Sequence, residues 1–421
     1  MRLTRQTNWA GNYTYQAREI QAPGSVTEAQ QIVAGADRVR ALGSRHSFNA
    51  IADSDVLITL DRLPAEIELD RAAQTVTLSA GVTYGRLART LEREGLALAN
   101  LASLPHISVA GAIATGTHGS GDSNGNLATA VAALEFITAG GELQTVRRGD
   151  PEFDGFVVSL GALGAVVRVT LDVEPAYRVR QRVFEHLPLG VLLESFDAIM
   201  SAGYSVSLFT VWDGTIDQVW VKRRVVPGQE EVELTLPGAK PAIRNLHPIR
   251  GLDPINCTPQ LGEPGGWSDV LPHFRMDFTP SSGDELQSEY LVAREDAQAA
   301  LQAVSELGQR LAPLLQVSEI RTIARDDLWL SPAYGRDSVA IHFTWRPVPH
   351  RVQAALDEIE AALLPLNGRP HWGKVFLADA TTIAALYPRM ADFRELVARH
   401  DPEATFRNPW LERHVLGRGT L

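Results

Sequence analysis

The chain has 421 residues, of which 45% are hydrophobic and 21% charged, with a formal net charge of −11. That make-up is an ordinary globular protein with room for two domains or a little more, and with no Lys/Arg block it excludes a general nucleic-acid binder, which needs clustered cations. A single cysteine, Cys257, excludes an internal disulfide framework, and no apolar leader opens the chain, so a reducing, cytoplasmic location is expected.

Residues 26–40 read as a short amphipathic helix from Thr27 leading into a strand over 38–42, which runs into Gly43-Ser44-Arg45-His46-Ser47-Phe48. A strand that ends in glycine and hydroxyl residues can turn main-chain N–H groups toward an anion. Strands are expected at 56–60 and 75–81, the second alternating with period two. A helix over 84–94 follows, with Leu87, Ala88 and Leu91 on one face.

Residues 95–121 contain no Asp, Glu, Lys or Arg, although Glu94 and Asp122 flank them. Pro105, the glycines at 111, 116 and 119, and His106 and His118 break this run as a membrane span. From Ser103 onward it offers hydroxyls, glycines and histidines, an inventory that suits a large phosphorylated cofactor in an uncharged pocket and suits a small-residue core segment equally well.

Residues 132–139 and 141–146 read as a hairpin around Gly140-Gly141, and 159–167 turn into a strand ending near Glu174-Pro175. No G-x-G-x-x-G follows any of these strands, which disfavours a Rossmann dinucleotide site. The texture changes near residue 176, where a domain boundary is placed. Lys222-Arg223-Arg224 reads as a solvated strand end.

Two later strands carry the clearest polar signal. Over 317–323, Glu319 and Arg321 share one face with Ile320 on the other; over 340–345, His342 and Thr344 oppose Ile341, Phe343 and Trp345. Paired, they would set a polar face over an apolar one. A third contribution comes from 368–374, which nearly spells a phosphate loop, but Val375 replaces the required hydroxyl. Lys374, beside Trp372 and Gly373 in an expected short strand, reads instead as a partly desolvated amine aimed into a cleft. The last helix is expected over 390–400, with 401–409 folding back on the first domain. His106 and His118 have no third ligand or H-E-x-x-H spacing, so no metal is expected.

Taken together, Gly43-Ser44-Arg45-His46-Ser47, Ser103-Leu104-Pro105-His106-Ile107-Ser108-Val109-Ala110-Gly111, Thr115-Gly116-Thr117-His118-Gly119 and Pro370-His371-Trp372-Gly373-Lys374 form a recognisable set. In these motifs the sequence resembles the alditol (xylitol) oxidases, vanillyl-alcohol-oxidase-like flavoproteins with a sugar-lactone-oxidase type of C-terminal domain. The likeness runs from Asn8-Trp9-Ala10-Gly11-Asn12 to Phe406-Arg407-Asn408.

The resemblance implies an α+β, two-domain flavoprotein: a PCMH-type FAD-binding domain over 1–175, a substrate domain with an antiparallel sheet over 176–375, and a returning segment over 376–421. It implies FAD joined covalently through His46, with Ala41, Leu42, Gly43, Ser44, Arg45 and Ser47 around the pyrophosphate. Ser103, Ser108, Gly111, Thr115, Gly116, Thr117, His118, Val166 and His371 would touch the flavin. Ser103, Glu319, Arg321, Thr344 and Lys374 would form the substrate face, with His342 nearby. Arg45 stands where many relatives carry glycine, so a positive φ there would strain the loop.

The implied reaction takes a terminal alditol hydroxyl to the aldose and reduces O2 to H2O2. Arginine cannot act as a base, so Arg321 is assigned to binding and charge stabilisation. Of the remaining two, Lys374 is favoured at the reacting hydroxyl and Glu319 at the next one. A neutral Lys374 needs its pKa moved from about 10.4 toward about 7, roughly 4 to 5 kcal/mol, which burial and a neighbouring arginine can provide. A row of polar side chains favours a linear polyol such as xylitol or sorbitol. The expected partners are this small molecule and O2, with no membrane or nucleic acid, and the expected state is a monomer. A sugar-1,4-lactone oxidase or dehydrogenase, a metal-dependent hydrolase using Glu319 and His342, and a sugar-binding protein without turnover are the alternatives.

Overall fold

In the computed structural model, which describes residues 6–229, 233–277 and 284–417, the early strands form small sheets and the later ones a single large sheet. Glu19–Gln21, Val39–Leu42 and Val56–Thr59 make a parallel three-stranded sheet with Val56–Thr59 in the middle. Parallel strands need a crossover, and helix Val26–Ala34 supplies one between the two outer strands. Ser25 caps that helix by accepting from the Glu28 N–H, while Ala29 and Val33 face the core.

A five-stranded antiparallel sheet follows, in the order Ile67–Asp70, Thr75–Ser79, Ala165–Asp172, Val131–Ile137 and Leu143–Arg147. Its central strand buries Ala165, Val167, Val169 and Leu171 at every second position, so one face belongs to the core. The expected hairpin is present as Val131–Ile137 with Leu143–Arg147. Gly141 in its turn has φ 80°, and a Cβ there would come within 2.7 Å of the Ala34 Cβ. The strand expected to reach Glu174-Pro175 stops at Asp172, and Glu174–Pro175 pairs separately with Leu96–Ala97. Helix Tyr84–Arg93 buries Leu87, Ala88 and Leu91 as the spacing predicts.

Among the described residues, those after 176 build a nine-stranded sheet whose pairings are antiparallel throughout. At its heart Ser205–Thr210, Leu315–Ile323, Ser338–Trp345 and Leu286–Ala293 lie side by side. Ile320, Ile341, Phe343 and Trp345 share a buried cluster with Leu301 and Val304 of helix Ala297–Glu306, and with Leu356 and Ile359 of helix Pro349–Leu363. Burying a side chain such as Ile341 or Phe343 contributes roughly 1.5–3 kcal/mol, which fixes which way the strands face. The other face is then forced to carry Glu319, Arg321, His342 and Thr344, all buried.

Lys222 does not belong to a solvated strand end. Strand Thr215–Arg224 lies inside the sheet between Arg178–Pro188 and Ser205–Thr210, and Lys222 is 1% exposed. Arg224 pairs with Glu174 and lies over the rings of Tyr177 and Tyr204.

Helix Met390–His400 sits where expected but is not the last, since Pro409–Leu411 and Glu412–Leu416 add further helical turns. The segment between returns to the first sheet. Arg40 donates to the Phe406 carbonyl at 2.5 Å, the Val39 N–H donates to the Thr405 carbonyl at 2.9 Å, and Asn408 donates to the Asp53 carbonyl at 2.8 Å. The tail therefore clamps the strand that presents residues 43–47.

Candidate active site

A cavity of about 530 Å³ lies between the 43–47 loop, the uncharged 102–118 segment and the polar face of the large sheet. The residues expected to hold cofactor or substrate line it, with the exceptions of Gly116 and Val166. Gly116 serves a turn with φ 64°, and a Cβ there would meet Pro332 at 3.1 Å. Val166 alternates away from Ala165 and Val167 and packs against the main core.

On the first wall two backbones approach closely. A Cβ on Gly43 would stand 2.6 Å from Ser108 Oγ, and one on Gly111 would stand 2.7 Å from the same atom. Ser44 N–H donates to Ser108 Oγ at 3.3 Å, and Ser108 N–H returns the bond to Ser44 Oγ at 3.0 Å. Arg45 has φ 61°, the left-handed backbone that glycine adopts freely, at a cost of roughly 1–2 kcal/mol for arginine. Its side chain points outward to Gln6 Oε1 at 3.2 Å.

His46 stacks on Trp9 with ring centroids 5.1 Å apart. Burial lowers its pKa to about 4 against a backbone contact with Ser44 that raises it, and among the described residues its buried Nδ1 has no partner of good hydrogen-bond geometry. His46 lines the cavity. The loop is tied to the opposite wall, because the Phe48 N–H donates to the Gly373 carbonyl at 2.8 Å and Asn49 donates to the Lys374 carbonyl at 2.7 Å.

The second wall is the polar face of the sheet. Strands Leu315–Ile323 and Ser338–Trp345 pair in a register that sets Glu319 opposite His342. Ser103 Oγ accepts from Arg321 Nη1 at 3.5 Å, so the uncharged segment also reaches this face. Lys374 lies beyond the end of the short strand Arg369–Pro370, in the turn where its N–H donates to the His371 carbonyl at 3.1 Å.

At the centre stands Glu289, which sequence reasoning missed. It lies on strand Leu286–Ala293, opposite His342 on the other side from Glu319, and its side chain is fully buried. Glu289 Oε2 is 2.5 Å from Lys374 Nζ and Oε1 is 2.8 Å from Arg321 Nη2. Burial alone raises its carboxyl pKa, but Lys374, His118 and Arg321 outweigh that and hold it well below the usual range. The available signal is that Glu289 is the lone charge in the run Leu-Gln-Ser-Glu-Tyr-Leu-Val-Ala. A buried strand admits a carboxylate only with partners.

The other groups follow from this centre. Burial lowers the Lys374 pKa and the cation of Arg321 adds to that, while Glu289 opposes it. Lys374 Nζ donates to His342 Nδ1 at 2.7 Å, so His342 Nε2 carries the hydrogen and donates to Thr344 Oγ1 at 3.0 Å. Burial and Lys374 lower the His342 pKa to about 4. Glu319 is held well below the carboxylate range by Arg321 and His273 despite its burial. His273, also missed, lies 2.8 Å from Glu319 and sits in a stretch with no periodic signal.

His118, Glu289 and His371 bring possible ligand atoms within 4.8 Å of one another, a third partner that the pair His106 and His118 lacks in sequence. His106 is elsewhere, 3.0 Å from the Met276 carbonyl. Both oxygens of Glu289 already face cations, Arg321 and Lys374, so a metal ion there would meet two like charges at close range.

A flavin-binding protein is the class this architecture defines, the α+β fold of PCMH-type FAD-binding proteins. Cholesterol oxidase from B. sterolicum superposes with a TM-score of 0.77 at 15% identity over 97% of this chain and 96% of that one. A solvent-stable cholesterol oxidase gives 0.78 at 17%, over 97% and 96%. Residues 18–147 match the FAD binding domain family and residues 283–414 the D-arabinono-1,4-lactone oxidase family. Alditol oxidase of Streptomyces sp. is 49% identical over 97% of this chain and 98% of its own. L-Gulono-1,4-lactone dehydrogenase of Mycobacterium tuberculosis is 30% identical over 98% and 99%. The chain belongs to the alditol oxidase family, FAD-dependent oxidoreductases with a sugar-lactone-oxidase type of C-terminal region.

Proposed function

We propose that this protein oxidises the terminal primary hydroxyl of an alditol such as xylitol or sorbitol to the aldose, with O2 reduced to H2O2. One observation carries the reading. Ser103, Glu319, Arg321, His342, Thr344 and Lys374 meet on one wall of the cavity whose other wall is the His46 loop.

The residues present fit FAD. Among the described residues the buried His46 Nδ1 has no partner of good hydrogen-bond geometry, which suits covalent attachment, and the close approach of Gly43 and Gly111 to Ser108 keeps the wall open to a large group. The chemistry that FAD supplies when bound is acceptance of a hydride from the alcohol carbon. Ala41 to Ser47 and the 103–118 segment hold the cofactor, with His371.

Lys374 takes the hydroxyl proton in its neutral form. Burial favours that form and Glu289 opposes it, so their balance sets the fraction ready to react. Arg321 stays charged, anchored by Glu289, and steadies the substrate oxygen as negative charge builds on it. Glu319 accepts from the neighbouring hydroxyl, while neutral His342 and Thr344 shape the pocket. Successive polar groups suit a linear polyol, because each buried pair left unmade costs about 1–3 kcal/mol.

In this reading 1–175 is the FAD domain, 176–375 the substrate domain and 376–421 the segment that returns to the FAD domain. The protein acts as a cytoplasmic monomer. Among the described residues no helix is long and apolar enough to cross a membrane.

The test is peroxide production in air from xylitol, sorbitol and a 1,4-lactone, compared at equal concentration. Peroxide from the alditols at the higher kcat/KM supports the reading; turnover of the lactone alone contradicts it.

A further inference from the structure

Behind Glu319 runs a buried chain of polar groups that the proposed reaction leaves unused. Lys222 Nζ is surrounded by three acceptors: the Leu271 carbonyl at 2.5 Å, His273 Nδ1 at 3.0 Å and the Pro272 carbonyl at 3.3 Å. Burial lowers the Lys222 pKa to about 7 while Glu319 opposes that, and three acceptors match the three N–H groups of its charged form. Since His273 Nδ1 accepts from Lys222, the ring's hydrogen is on Nε2, which donates to Glu319 Oε1 at 2.8 Å. Arg321 Nε approaches the same oxygen at 3.5 Å, which leaves Oε2 to take a hydroxyl.

The imidazole itself is immobilised. Phe209 and Trp220 meet it at steep angles, with centroids 5.5 and 5.1 Å away. Its main-chain N–H donates to the Ser103 carbonyl at 3.2 Å, so the same residue braces a second part of the substrate face. Met of similar length would spare the cost of burying an amine, and among the described residues Lys222 has no salt bridge, only the charge of Glu319 at a distance to oppose that cost. What the amine does is partner Nδ1 of His273.

We propose that Lys222 and His273 are positioning residues that hold the Glu319 carboxylate in the orientation used to bind a polyol hydroxyl. Without the amine, His273 Nδ1 is buried without its donor, and the ring turns to recover a partner, which displaces the carboxylate. The inference rests on the reading of Glu319 as a substrate ligand.

The experiment measures kcat and KM for xylitol, and flavin content, in Lys222→Met, His273→Gln, the double variant and Glu319→Gln. A glutamine amide donates to Glu319 whether or not Lys222 is present. Lys222→Met is therefore expected to raise KM about 10-fold with flavin content unchanged, while His273→Gln stays within about threefold of wild type. The double variant is expected to resemble His273→Gln, a rescue that a merely structural role for Lys222 would not give. Losses that multiply in the double variant, or an unchanged KM in Lys222→Met, overturn the proposal. Should Lys222→Met fail to fold, His273→Leu takes its place: a KM about 10-fold above that of His273→Gln supports the proposal, and equal values overturn it. Glu319→Gln separates the two readings. If it raises KM and Lys222→Met does not, this inference alone fails; if it leaves KM unchanged, the substrate role of Glu319 fails with it.

Discussion

Glu289 holds Lys374 through a 2.5 Å contact between a fully buried carboxylate and the amine that faces the cavity. Because its second oxygen binds Arg321, one carboxylate contacts both basic side chains of the proposed site. Glu289→Gln leaves those cations facing each other, and a stability loss of about 3–5 kcal/mol is expected in denaturant unfolding. Glu289 raises the Lys374 pKa, so removing its charge lowers it further. The pH at which flavin reduction levels off should therefore move downward, and a plateau that stays in place contradicts the assignment of Lys374 as proton acceptor.

His46 should carry the flavin. Intact wild-type protein measured by mass spectrometry under denaturing conditions is expected to include the mass of FAD, and His46→Ala is expected to give the bare polypeptide. Yellow colour that washes out of acid-precipitated wild type contradicts covalent attachment.

Arg45 sits at φ 61° with its side chain in solvent. Arg45→Gly relieves the left-handed strain but adds freedom to the unfolded chain, two effects of similar size and opposite sign. Stability should change by less than about 1 kcal/mol with flavin content intact. A large loss of flavin would instead give the Arg45 side chain a role in loading the cofactor.

Acid should unfold the protein over a definite window. His273 and His342 are buried neutral with pKa lowered to about 4, against about 6.5 when unfolded. Between those values the unfolded chain binds more protons, so stability is full above about pH 6.5 and falls as pH drops toward 4. Each histidine contributes on the order of 3 kcal/mol at most. The melting temperature should fall steadily from pH 6.5 to 4, and a flat profile contradicts the buried neutral state.

Much of the site was legible because strand periodicity is a local property. Glu319 and Arg321 share a face, as do His342 and Thr344, whatever lies around them, and the pairing of Glu319 with His342 adds only the register. Likewise the lack of charge in 95–121 anticipates the uncharged wall. What was not legible depends on sheet order. Lys222 looks like part of a solvated charge run until its strand is found inside the sheet, and Glu289 gains its partners from segments 85 and 32 residues away in sequence. His273 has neither periodicity nor a motif; it meets Glu319 across 46 residues. The turn holding Lys374 is likewise tied by a contact with Asn49, 325 residues away, that no local pattern encodes.

The most direct test of the account is rapid mixing of xylitol with the purified, flavin-loaded protein in the absence of oxygen, followed at the visible flavin band. Wild type is expected to bleach quickly, and Lys374→Met, with its flavin content unchanged, is expected to remain yellow. Bleaching of Lys374→Met at the wild-type rate, or no bleaching of wild type by any alditol, would contradict it.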